Sequence, residues 1–138
     1  MSWLLFAFLS ALFAALTAIL GKIGVANINS NLATAIRSVV ITLFAWAIVF
    51  LGKDFHGFSS ISKHSLLFLI LSGLTTGISW LFYFKALQLG DVSKVVPIDR
   101  LSLALVILFG ALILSEKITL NVVLGSILMT AGAILIAF

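Results

Sequence analysis

Four ionisable side chains fall within or at the border of long apolar stretches of this sequence, where a charge is costly in lipid. Arg37 stands about two helical turns into its stretch, too deep to reach water easily by snorkelling. Such residues usually face a water-filled cavity or a partner of opposite charge, so they are the first candidates for a functional site. The four residues are Arg37, Lys85, Asp99 and Arg100.

These three cations and one anion lie toward the same membrane side, in the second, third and fourth apolar stretches. Asp99 either neutralises a neighbouring cation and holds the helices together, or shares with it the mouth or floor of a polar cavity. The residue pattern leaves both interpretations open. We expect Arg37, Asp99 and Arg100 to form one cluster near Trp80 and Tyr83. The excess of cations favours a substrate that carries a carboxylate over a cationic substrate.

Hydroxyl side chains recur at helical spacing in the same stretches. Spacings of four and three residues place them on one face of each predicted helix. Hydroxyls in membrane helices often bond only their own backbone or assist close packing, but three such faces can also converge on one aqueous path. The candidate path residues are Thr17, Thr34, Ser38, Ser72, Thr76 and Ser79.

The residue combinations that catalysis usually needs are missing from the apolar stretches. The sequence has no cysteine, which excludes a thiolate metal site and a cysteine nucleophile. His56 and His64 share one polar segment without a carboxylate at metal-ligand spacing, and we expect both to be solvated. No glycine-rich phosphate-binding motif follows a strand. We therefore expect no catalytic residue, no metal ion, no cofactor and no enzymatic activity.

Membrane-spanning helices are the elements that must position these residues. Hydrophobic residues make up 63% of the 138 residues and charged residues only 9%, which excludes a soluble globule, a disordered chain and a nucleic-acid-binding protein. Five stretches approach the length of about 20 residues that crosses the hydrocarbon core, and they lack the alternation of β-barrel strands. We expect Pro97 to kink the fourth. The predicted spans of this single all-α domain are about 2–21, 32–51, 65–88, 95–115 and 118–138.

The distribution of lysine and arginine gives these spans no strong orientation. Side A denotes the membrane side of the N-terminus, and side B denotes the opposite side. The loops on side A hold three basic residues and those on side B hold two, but residues just inside the helix ends raise the side-B count to five. Because basic residues orient membrane proteins, this balance allows either a single orientation or insertion in both.

Several short motifs follow one another in the second half of the chain: Phe84-Lys85-Ala86-Leu87, Gly90-Asp91-Val92-Ser93, Val96-Pro97, Ser115-Glu116-Lys117 and Gly132-Ala133-Ile134-Leu135. Their order and spacing resemble the EamA-type domain of the drug/metabolite transporter superfamily, and Arg37 falls where the second span of that domain often carries arginine. The resemblance covers essentially the whole chain. It implies five helices equivalent to one half of a ten-helix inverted-repeat transporter, and the chain looks like the half-size bacterial and archaeal group.

The resemblance implies a secondary transporter in a prokaryotic inner membrane, often an exporter of amino acids or other small metabolites. The alternatives are a lipid or lipid-linked-sugar translocation subunit, a proton-coupled exporter of cationic drugs, and a membrane assembly partner without transport activity. Small multidrug exporters carry an acidic residue in the first span, which this sequence lacks. Asp99 is then the one carboxylate placed for proton coupling.

A partner for the five-span unit is expected, because alternating-access sites commonly lie between two inverted repeats. The balance of lysine and arginine permits an inverted second copy of the chain, and a paralogous half-transporter is the other option. Small residues allow helices to approach closely, so we expect the dimer contact on the fifth span. The expected contact residues are Gly125, Ser126, Gly132 and Ala133.

Overall fold

The computed structural model describes residues 2–55 and 61–138, which form helices and connectors without a β-strand. Five helical segments of this part of the chain are long and apolar enough to cross a membrane, and α4 and α5 together make one of them. The prediction of an all-α protein with five spans is therefore confirmed. The helices are α1 (Ser2–Val25), α2 (Ser30–Gly52), α3 (Lys63–Leu89), α4 (Val92–Asp99), α5 (Ser102–Leu114) and α6 (Leu120–Ala137).

The outer surface of these helices carries large apolar side chains. Phe82 is 73% exposed within the single chain, and Leu135 is 82% exposed. Water would make such a surface strongly unfavourable, whereas lipid is as apolar as the side chains themselves. The backbone N–H and C=O groups are meanwhile satisfied inside the helices, as a bilayer requires.

Several helices extend beyond the charge-free stretches that predicted them. α1 continues past Lys22 to Val25, and α4 begins at Val92 and therefore includes Lys94. Lysine ends an apolar run but is a good helix former, so the helix continues through it. α2 begins at Ser30, because the Asn29 side chain caps it by accepting a 2.8 Å hydrogen bond from the backbone N–H of Asn31.

The fourth span is interrupted between α4 and α5. Pro97 lies inside α4 and has no N–H to donate to the preceding turn. Three residues later the backbone tightens: the N–H of Leu101 donates to the carbonyl of Ile98 at 3.0 Å, and that of Leu103 to the carbonyl of Arg100 at 3.0 Å. Such bonds between residues three apart are typical of a 3₁₀ turn. The interruption thus lies at Arg100 and Leu101 rather than at the proline itself.

The chain divides into two compact units. One unit comprises most of α1 with α4, α5 and α6, and in it α6 packs against α4 and α5. The other comprises the end of α1 with α2 and α3. The core of this second unit contains Val25 and Leu87, which are fully buried, and Phe84, which is 3% exposed.

Candidate functional site around Arg37

Two aromatic rings of α3 contact the guanidinium of Arg37. The Cζ atom of Arg37 lies 4.5 Å from the centroid of the Trp80 ring and 5.2 Å from that of Phe84. Trp80 and Phe84 are four residues apart, so their side chains share one face of the helix. A guanidinium within about 6 Å of a ring centroid is attracted by the negative face of the ring. The half-buried cation is thus held about 10 Å along α2 from its first residue.

Phe84 connects this cation to α1. A Cβ atom at Gly21 would lie 3.3 Å from Cε1 of Phe84, so a larger residue would push this ring by a few tenths of an ångström, whereas the 3.6 Å separation from Cδ1 of Leu87 is an ordinary contact. The Tyr83 ring meets the Phe84 ring edge-on, with centroids 6.0 Å apart. Phe84 is therefore packed on several sides, and this packing fixes the ring that contacts the Arg37 guanidinium.

The ends of α1 and α3 are joined by three hydrogen bonds, donated by one side chain from each helix, which we call the side-B clasp. Nζ of Lys22 in α1 donates to the carbonyl of Leu87 in α3 at 2.6 Å. Nε2 of Gln88 in α3 donates to the carbonyls of Val25 at 3.3 Å and Ile28 at 2.9 Å. These carbonyls belong to helix ends or to the following turn, where no intrahelical donor is available. The clasp therefore satisfies carbonyls that lack an intrahelical donor and fixes the spacing of α1 and α3 beside Phe84.

The other predicted cations and the aspartate are exposed within the single chain. Lys85 is exposed, and its Nζ donates to Oε1 of Gln88 at 3.2 Å. Asp99 and Arg100 are exposed and flank the interruption of the fourth span. Because they belong to one compact unit and Arg37 to the other, the predicted cluster of these three residues stays a prediction.

The predicted polar faces consist largely of hydroxyls that bond their own helix. Oγ1 of Thr34 donates to the carbonyl of Ser30 at 2.9 Å, and Oγ of Ser38 to the carbonyl of Thr34 at 2.8 Å. Oγ1 of Thr76 donates to the carbonyl of Ser72 at 2.8 Å. Thr17 is half-buried, and Ser79 is exposed on α3. These bonds satisfy the hydroxyls without water, so an aqueous path along them stays a prediction.

The small residues predicted for a dimer contact differ in exposure. Ala133 is only 6% exposed within the single chain. Gly125 and Gly132 have open space where a Cβ atom would stand, and Ser126 is half-buried. A second helix can approach closely at Gly125 and Gly132, so the proposed contact depends mainly on these two positions.

Metal binding finds no support in residues 2–55 and 61–138, which contain no group of three or more His, Asp or Glu side chains able to hold an ion. His64 packs against Phe68, with ring centroids 4.7 Å apart. His56 lies outside the described residues.

The residues predicted for the site do not include Gly21, Gln88 or Phe84. The signal for Phe84 was present in the Phe84-Lys85-Ala86-Leu87 motif, whose first and last residues are the buried pair against Gly21. Gln88 gave no such signal, because the carbonyls that it binds become neighbours only in the folded chain.

Two comparisons place the chain among known proteins. The EamA-like transporter family matches residues 1–138. A protein from a Sinorhizobium species, named "Uncharacterized transporter in cobO 3'region", is 52% identical over 136 residues, which cover 99% of this chain and 96% of that protein. No solved structure matches the chain significantly.

Proposed function

Because the chain belongs to the EamA-like transporter family, we propose that it exports small metabolites that carry a carboxylate, such as amino acids. The chain is a multi-pass integral membrane protein and a membrane transporter of that family. The proposal adds a substrate class, a direction and a mechanism, which is secondary transport by alternating access.

The observation that carries the proposal is the position of Arg37 between aromatic rings inside a membrane span. A guanidinium can stack on rings through its face and still bind a carboxylate through its edge, where its N–H donors form a planar fork. The aromatic contacts hold the cation without neutralising it. An anionic group of the substrate would supply a negative charge to balance the Arg37 guanidinium. The low dielectric of the surroundings would strengthen the attraction between the two charges.

The interrupted fourth span supports alternating access. Transporters often build their binding sites beside discontinuous helices, whose loosened backbone can change conformation. Asp99 and Arg100 stand at this interruption. We propose that they join Arg37, Trp80 and Tyr83 along the substrate path, with Asp99 as the group available for proton coupling.

An antiparallel pair of chains would complete the transporter. An alternating-access site commonly lies between two inverted repeats, and each chain described here supplies five spans. The balance of basic residues permits both orientations in a prokaryotic inner membrane. Gly125 and Gly132 on α6 leave room for a second helix at the contact. A paralogous half-transporter would use the same surface.

A flux screen in proteoliposomes tests the proposed substrate class. The purified chain is assayed with radiolabelled amino acids, with organic cations under a proton gradient, and with fluorescent lipids. We expect counterflow of carboxylate-bearing metabolites only. Uptake of cations alone would replace the proposal with proton-coupled drug export, and movement of lipids alone would replace it with lipid translocation.

A further inference from the structure

A groove of about 400 Å³ lies between the start of α2 and the second half of α3. Its polar lining residues belong to side B, and its apolar lining residues lie deeper in the bilayer. From Lys85 to Ile78 the helix rises about 10 Å, roughly a third of the hydrocarbon thickness. The residues that matter here are Asn29, Asn31 and Lys85 at the polar end, and Ile78, Leu81 and Phe82 along the apolar wall.

We propose that this groove binds an anionic phospholipid, with its phosphate at Lys85 and its glycerol and first acyl methylenes along Ile78, Leu81 and Phe82. Basic pockets between membrane helices bind anionic lipid headgroups in this way. The proposal concerns a lipid site distinct from Arg37 and does not depend on which substrate is transported.

The positioning of Lys85 supports the polar half of the site. Its Nζ donates to Oε1 of Gln88, and Gln88 is itself fixed through the side-B clasp to the carbonyls of Val25 and Ile28. The ammonium is therefore held at the polar end of the groove by a neutral partner. Asn31 is exposed beside it and offers an amide donor for phosphate or glycerol oxygens.

The apolar half of the site faces the bilayer. Within the single chain, Phe82 is 73% exposed, Ile78 55% and Leu81 41%. A hydrophilic metabolite would gain little from this wall, whereas an acyl chain matches it. Because the groove ends about a third of the way into the hydrocarbon, it holds a lipid in one leaflet and is too short to carry a headgroup across.

Native mass spectrometry of the detergent-solubilised chain, titrated with phosphatidylglycerol or phosphatidylcholine, tests the proposal. We expect phosphatidylglycerol to bind about tenfold more tightly, since a hydrogen bond to a charged group contributes at least that factor. Lys85→Gln should abolish this preference, and Lys85→Arg should restore it. Lys63→Gln is the matched control, because it removes one positive charge from the opposite end of α3.

Leu81→Trp keeps the charge and fills the apolar wall, so it should weaken binding of both lipids. Equal affinity for the two lipids in the unmodified chain would overturn the proposal. So would a loss of the phosphatidylglycerol preference in Lys63→Gln as large as the loss in Lys85→Gln. Displacement of the lipid by inorganic phosphate at equal concentration would show that the acyl chain is not bound. Lipid binding that occurs only after a dimer dissociates would make the groove a contact between chains instead.

Discussion

Substituting Gly21 tests the packing that holds Phe84 beside Arg37. In Gly21→Ala the new Cβ atom would lie 3.3 Å from Cε1 of Phe84 and 3.6 Å from Cδ1 of Leu87. Carbon atoms prefer separations of about 3.5–4.0 Å, so the Phe84 ring must move by a few tenths of an ångström. The ring is 3% exposed and has little room to move. Overpacking of this kind costs about 1–3 kcal/mol.

Gly24→Ala is the matched control on the same helix. No atom lies within 4 Å of the Cβ position at Gly24. Both substitutions gain about 1 kcal/mol of helix propensity, so that gain cancels in the comparison. We expect Gly21→Ala to be less stable than Gly24→Ala by about 1–3 kcal/mol, because only Gly21→Ala pushes against Phe84.

Reversible unfolding in bicelles measures this difference, and proteoliposome flux measures its functional consequence. Flux per folded molecule should fall more in Gly21→Ala than in Gly24→Ala, because displacement of the Phe84 ring disturbs its contact with the Arg37 guanidinium. Equal stability of the two variants would refute the argument that Gly21 is required by Phe84.

Three further predictions concern the helix ends and the assembly. Ser115 has a φ of 55°, which glycine adopts without the steric penalty of a Cβ atom. Ser115→Gly should therefore stabilise the chain by about 1 kcal/mol in the same unfolding assay, and an equal gain in Ser115→Ala would contradict this explanation. Gln88→Leu removes the hydrogen bonds to Val25 and Ile28 and should destabilise by about 1–3 kcal/mol; unchanged stability would show that the side-B clasp contributes nothing. A single cysteine near Phe138, in a chain without cysteine, should be labelled equally from both membrane sides in intact cells, and one-sided labelling would exclude the inverted homodimer.

The number of spans could be predicted from the sequence because one physical constraint sets it. A helix must cross a hydrocarbon core of known thickness, and charges are rare within that length. The helix ends were less predictable. The first span is predicted to end at residue 21, yet α1 continues to Val25, and the ammonium of Lys22 binds the carbonyl of Leu87 on another helix. That contact joins residues 65 positions apart, so no local pattern encodes it.

The motifs of the resemblance gain a physical meaning in the structure. Ser115 adopts a left-handed conformation that ends α5, and the N–H of Glu116 donates to the carbonyl of Gly110 at 3.1 Å. Glycine is the residue best suited to that conformation, and Ser115 adopts it here at the end of the helix. The Glu116 carboxylate also lies over Gly110, 3.1 Å from where a Cβ atom would stand. This motif is therefore a helix end rather than a binding site.

The candidate site was predictable only in part. The cost of a charge in lipid directed attention to Arg37, and its guanidinium lies 4.5 Å from the centroid of the Trp80 ring, whereas a role of Arg37 in substrate binding stays a prediction. The same reasoning selected Lys85, whose side chain lines the groove at the start of α2. Depth in the membrane is encoded by the sequence, whereas the direction of a long side chain depends on its partners.

Flux per folded molecule in an Arg37→Ala variant tests the central claim most directly. If Arg37 binds the carboxylate of the substrate, flux should fall about tenfold or more while the folded yield changes little, and Arg37→Lys should retain an intermediate flux because it keeps the charge but not the planar fork. A loss of folded yield as large as the loss of flux, or an unchanged flux per folded molecule, would contradict the claim and return Arg37 to a structural role.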